Sequence, residues 1–279
     1  MMPFDHSTPT ASRAIVEVSW CDLGVAFGLI LLAVGIARWQ GVGLAQRLVV
    51  GAVRAVAQLV LVGYVLVSLF ALGRWYLVVV ALLIMLIVAT QAAVTRQPGA
   101  RRRLVMITGV AMLVASGVTL LYISTLVVHV APWYNPQYLI PLFGMIVGSA
   151  MHAAAIAAER LHREITTRRA EIEAYFALGA HSHYASHYAV RHAMRAALIP
   201  TVNGLMVVGV VTLPGMMAGQ ILAGASPLIA IRYQIVVVFM QAAAVAMTTA
   251  MVTLWYRRAF FTPALQLRVE TEESLSASD

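Results

Sequence analysis

Apolar residues gather in blocks at roughly 20–37, 48–70, 75–94, 104–130, 139–158, 198–223 and 229–256, and all but one of the joints between them are short. A membrane-spanning helix needs about 20 apolar residues, so the pattern predicts seven such helices. The ten-residue alternating segments of a membrane β-barrel are not seen, and runs of this length favour helices. The long joint is Glu159–Arg195, 37 residues carrying Glu159, Arg160, Arg163, Glu164, Arg168, Arg169, Glu171, Glu173, Arg191, Arg195 and five histidines. Each uncompensated charge costs at least a few kcal/mol in hydrocarbon, so this stretch belongs in water. The expected organisation is an external segment over 1–19, five spans over 20–158, a cytoplasmic insert over 159–197, two spans over 198–256 and a cytoplasmic tail over 257–279. Asp5, Glu17 and Asp22 precede or enter the first apolar run without a basic leader, so that run reads as a retained span.

Within the insert, Leu161, Ile165, Ile172 and Phe176 fall near helical spacing, with arginines and glutamates between them. The pattern breaks at Gly179, a helix stop. A second short helix is predicted through Tyr184 and Tyr188 towards Met194, and Pro200 leads into the sixth span. Such an amphipathic pair can lie on the membrane surface or form a platform for a cytosolic partner.

Composition sharpens the picture. The chain is 61% hydrophobic and 11% charged, which excludes an ordinary soluble domain. Its net charge of +8 comes from arginine, since lysine is absent. With the insert in the cytoplasm, inner segments hold fifteen arginines and outer segments only Arg13, Arg74 and Arg232. That positive-inside bias puts the N-terminus outside and the C-terminus inside a plasma (inner) membrane. The excess charge suits anionic lipid headgroups rather than nucleic acid. Cys21 stands alone, so no internal disulfide is expected. A phosphate-binding loop needs a lysine, so this chain binds no nucleotide cofactor that way; if it moves a solute using ATP, another chain must hold the ATP and its magnesium. The tail, with Glu270, Glu272, Glu273 and Asp279 among serines, is expected to be disordered.

Glu173-Ala174-Tyr175-Phe176-Ala177-Leu178-Gly179-Ala180 resembles the E-A-A-x-x-x-G loop with which permeases of ABC transporters contact their ATPase subunits. Tyr175 replaces the second alanine, and His192 stands where the importer motif has proline. A wider resemblance covers Arg47 to Leu267. Gly51–Tyr64 (with Arg54, Gln58 and Gly63), Ile140–Gly148, Arg195–Thr201, Leu213–Gly219 and Ile231–Ile235 are similar to the FetB-type permeases, which include a bacterial iron exporter and plant permeases linked to aluminium tolerance. The resemblance implies an all-α permease, homodimeric, working with a cytosolic ABC ATPase and exporting iron or another metal-related solute. It implies that Glu173, Ala174, Phe176, Gly179 and Ala180 contact that ATPase. Where this family carries an aspartate and, three residues later, a lysine, the chain has Asn203 and Met206; loss of both together fits a self-neutralising pair.

Candidate pathway residues are Arg54, Gln58, His152, Asn203, Met216, Met217 and Gln234. Arg54 is the basic residue deepest in a predicted span, with Gln58 one turn on; it lines a pathway, snorkels to the interface or holds a lipid phosphate. Gly144 and Gly148, and likewise Gly215 and Gly219, form small-residue faces that let helices pack closely. His152 continues the first face and is the best single metal ligand, with Met145 and Met151 near it in sequence; imidazole and thioether suit softer transition metals than ferric ion. His183 and His187 are four apart, a metal-clasping spacing, yet without a carboxylate or cysteine beside them they read first as interfacial. Ser149 with His152 shows no oxyanion hole, so a membrane protease is disfavoured. An ion-coupled carrier is the alternative function, weakened by the lack of Asp or Glu in the core of any span; a membrane enzyme or scaffold ranks below it.

Overall fold

The computed structural model describes residues 19–41, 43–95, 101–129, 132–262 and 267. The expected external segment (apart from Ser19) and nearly all of the acidic tail beyond Thr262 lie outside the described residues. The described chain is helical, with no strand among the described residues beyond two isolated bridges, Val208 with Thr212 and Phe261 with Leu267. Among the described residues, six helices are long and apolar enough to cross a membrane. They are α1 (Trp20–Trp39), α2 (Ala45–Leu72), α3 (Trp75–Val94), α4 (Arg101–Tyr122, continued by a π-helical turn Ile123–Val127), α5 (Pro136–Thr167) and α10 (Pro227–Arg257). Shorter helices α6 (Arg169–Ala177), α7 (Ser182–Ala185), α8 (His187–Val207) and α9 (Gly215–Leu222) lie between the last two.

Local chemistry sets several of these ends. The Ser19 hydroxyl accepts from the Cys21 N–H while Asp22 accepts from the Ser19 N–H, a capping box that gives Asp22 a role at the edge of α1. Asn135 caps α5 with Pro136 in the first turn, where its missing N–H costs nothing. Gly73, at φ +57°, closes α2 before α3 begins.

The chain forms two compact units. In the first (1–73 with 218–227), α1 packs on α2, and most of their apolar side chains are bare, as hydrocarbon-facing helices require. The second (74–217 with 228–279) is built around α5, which packs against α3, α4 and α8. Its larger apolar cluster joins Leu104, Ala154, Leu161, Ile165, Ile172, Val252, Tyr256 and Phe260; a smaller one joins Ile123, Leu142, Ile146, Val237, Met240 and Ala244. Early residues of α5 therefore meet early residues of α10, and late meet late: the two helices run parallel, with α4 opposed to both. Arg102, Arg103, the insert and Arg257 consequently share one end of this unit, while Arg74 and Arg232 mark the other.

The sixth expected span, 198–223, is not one helix. α8 begins inside the polar insert and ends at Val207, the chain turns through Gly209 at φ +84° and Pro214, and α9 follows. Since α10 must start at the end opposite the insert, α8 and this turn carry the chain across, as a broken helix rather than a continuous apolar one. Arg191 and Arg195 in α8 explain why no apolar span is seen there. The small-residue faces also differ from one another: a Cβ on Gly144 would sit 3.0 Å from Met85 Cε of α3, whereas Gly148, Gly215 and Gly219 would meet nothing within 4 Å.

Candidate functional site

The polar insert is a compact knot at the end of α5. Glu164, buried near that end, pairs with Arg160 at 3.0 Å, with Arg168 at 3.3 Å and with His192 Nδ1 of α8 at 3.4 Å. Arg168 also donates to Glu171 at 2.9 Å, and its guanidinium lies 3.8 Å from the centroid of the Tyr188 ring, which stacks on His192. Desolvation opposes the charge on Arg168, but its hydrogen bonds to Glu171 and Glu164 outweigh it and raise the pKa. One arginine thus ties the start of α6 to α5 and α8.

The inner face of α6 is fixed as well. Ile172 is 2% exposed, Phe176 meets Phe261 edge to face at 5.6 Å, and Tyr175 meets Tyr184 at 5.7 Å. At its end, the Gly179 N–H donates to Phe176 O and the Ala180 N–H to Tyr175 O, both at 2.9 Å, with Gly179 at φ +81°. That is a Schellman stop, and it requires the left-handed conformation that glycine adopts freely. The outward side carries the Arg169–Glu173 pair at 2.7 Å, Ala174, Ala177 and, just before the glycine, Leu178, which is 85% exposed. Leu178 is thus a bare apolar side chain beside the ion-paired knot. Leu178 was legible only as part of the motif; its exposure follows from its place as the last residue before the turn.

A cavity of about 490 Å³ opens in the second unit between α5, α8, the 208–214 turn, the start of α9 and α10. Its polar lining is Ser149, His152, Thr201, Thr212, Gln234 and Gln241, with the thioethers of Met145 and Met216; among the described residues no carboxylate or arginine lines it. Gln234 is buried, and its Oε1 has no hydrogen-bond partner among the described residues. A buried amide oxygen left so costs about 1–3 kcal/mol, which a ligand or water entering the cavity would relieve. The cavity brings together the sequence candidates His152, Met216 and Gln234. Asn203 is exposed and outside its lining, Met217 is buried outside it, and Arg54 and Gln58 stand exposed on α2 in the first unit. Gln241 was missed, although its spacing of two helical turns from Gln234 was a usable signal.

His183 and His187 have ring centroids 6.3 Å apart, but no group of three His, Cys, Asp or Glu suited to a metal occurs among the described residues. Around the cavity, the polar and sulfur-bearing neighbours of His152 among the described residues are thioethers, hydroxyls and amides.

Sequence comparison agrees with a membrane permease. The family described as "Uncharacterised protein family (UPF0014)" matches residues 20–261. The UPF0014 membrane protein slr1647 of Synechocystis is 39% identical over 92% of this chain and 99% of its own length. The "Probable iron export permease protein FetB" of Escherichia coli is 33% identical over 89% and 94%, and the protein ALUMINUM SENSITIVE 3 of Arabidopsis thaliana is 32% identical over 89% and 90%. No solved structure matches the chain.

Proposed function

The chain belongs to the UPF0014 family of membrane proteins, and from that premise we propose that it is the permease subunit of an ABC transporter, exporting iron with ATP hydrolysed by a separate cytosolic ATPase. The observation that carries this reading is the rigid α6–Gly179 turn with Leu178 presented bare. The functional unit is a homodimer with two ATPase chains, set in the inner membrane with the insert in the cytoplasm. The clustering of arginines at the insert end of the second unit supports that orientation.

The geometry supplies a route from ATPase to solute. Glu164 and His152 lie on the same helix, twelve residues apart, about 18 Å at 1.5 Å per residue. Through His192 and Tyr188 the knot also grips α8, whose Ala197, Pro200, Thr201 and Gly204 line the cavity. A push on α6 therefore moves both walls of the cavity from one point. The iron cargo is suggested by the name of the Escherichia coli relative. His152, Met145 and Met216 are softer donors that suit ferrous rather than ferric iron. An ion-coupled carrier is disfavoured because no carboxylate among the described residues lines the cavity.

Co-purification of the tagged permease with its cognate ATPase tests the docking. Wild type should retain the ATPase, and Leu178→Glu should lose it while keeping its thermal stability, since the Leu178 side chain is 85% exposed. Full retention by Leu178→Glu would remove the docking claim.

A further inference from the structure

We propose that the groove between α8 and the end of α10 is a binding site for an anionic phospholipid of the leaflet on the insert side. The groove measures about 760 Å³ and lies within the second unit. Its polar end carries Arg191, Arg195 and Arg257; its apolar end carries Leu198, Val202 and Leu254.

The order of these residues is the first argument. Arg191 and Arg195 are one turn apart on one face of α8, and Leu198 and Val202 continue the same face. On α10, Leu254 precedes Arg257 by one turn. On both helices the character changes along the axis, from basic to apolar, and at the same end of the unit. A bilayer boundary imposes that gradient, whereas a groove for a soluble helix is apolar along its length and polar at its rims. From Arg191 to Val202 is eleven residues, about 16 Å of helix, close to half the thickness of the hydrocarbon core. The headgroup and the upper acyl chain fit that span.

Charge is the second argument. The ion pairs among the described residues join Arg160, Arg168, Arg169 and His192 to Glu164, Glu171 and Glu173; none involves Arg191, Arg195 or Arg257. Arg258 adds a fourth positive charge next to Arg257. Three guanidiniums converging on one groove, with no carboxylate of the described residues beside them, call for an anion from elsewhere, and a phosphodiester accepts their forked donors well. A second copy of this chain is a poor source. Of the acidic residues described, Asp22 caps α1 and three serve the knot, leaving Glu159. Leu198, half-buried, and Val202 and Leu254, each more than 40% exposed, would be covered by the acyl chain.

The site does not depend on the permease reading and is tested without an ATPase. The purified full chain in neutral detergent is titrated with phosphatidylglycerol, phosphatidylcholine or inorganic phosphate, and bound lipid is read by native mass spectrometry alongside the unfolding temperature. Phosphatidylglycerol should bind saturably and raise the unfolding temperature, and neither other probe should. Arg191→Gln and Arg257→Gln should each weaken binding about fivefold, with the helical signal unchanged, while Arg102→Gln/Arg103→Gln at the start of α4 should not. Equal weakening by both sets means diffuse attraction to basic residues and overturns the site. A shift by inorganic phosphate alone overturns the lipid as occupant. So does a disulfide between two copies of Val202→Cys in a Cys21→Ser background, which would place a second protein in the groove. Should a glutamine variant fail to fold, competition between phosphatidylglycerol and phosphatidylcholine on the wild type still decides, and no preference would refute the proposal.

Discussion

Substitution at Gly179 separates backbone geometry from side-chain contact at the turn proposed to dock the ATPase. A Cβ there would meet nothing within 4 Å, so the cost of a side chain is not a clash with neighbours. It is the cost of holding an L-residue at φ +81°, about 1–2 kcal/mol for alanine and less for asparagine, which tolerates the left-handed region. At about 1.4 kcal/mol per factor of ten, alanine should reduce the population of the native turn by roughly five- to thirtyfold relative to its alternatives. Proline goes further, because its φ is fixed near −65° and it lacks the N–H that reaches Phe176 O at 2.9 Å. The assay is solute transported per ATP hydrolysed in vesicles holding permease and ATPase, with membrane content checked in each. The expected order of coupling is Gly, then Asn, then Ala, then Pro, all inserted equally. Wild-type coupling by Gly179→Pro, or asparagine as harmful as proline, would refute the dependence on this turn.

Three further outcomes follow from the same geometry. Glu173→Arg breaks an exposed pair with Arg169 that contributes at most about 0.5 kcal/mol; stability should hold while ATPase coupling falls, and intact coupling would remove Glu173 from the contact. Glu164→Gln removes the acid shared by Arg160, Arg168 and His192. Both arginines are about one-third exposed and can be rehydrated, so the loss should be about 1–2 kcal/mol, read as a lower unfolding temperature together with ATP hydrolysis uncoupled from transport; a change in neither would disprove the hub. His152→Ala should reduce metal-stimulated ATPase activity without disturbing assembly, and an unchanged metal dependence would return His152 to a packing role.

Much of the fold was written in local pattern. Apolar blocks of about 20 residues define six helices directly, and Gly179 announced its turn because few residues other than glycine suit that backbone. The broken crossing was hidden because Val207–Leu213 is apolar on both sides of Gly209; only Pro214-Gly215 hinted at the interruption. The knot around Glu164 was illegible for a different reason. Its partners His192 and Tyr188 arrive on a later helix, and no spacing rule within α5 brings them there. The cavity falls between these cases: His152, Met216 and Gln234 could be proposed singly, whereas their convergence needed α8 and α10 to pack beside α5. Asn203 shows the limit of helix position alone, since it sits on α8 between cavity-lining Thr201 and Gly204 yet lies outside the lining.

The most direct test of the permease reading is accumulation of ferrous iron in inverted membrane vesicles containing this chain and its cognate ATPase. The account predicts accumulation that requires both chains and hydrolysable ATP and that falls with His152→Ala. Iron uptake that proceeds without the ATPase, or no ATP-driven uptake with the complex assembled and hydrolysing ATP, would contradict it.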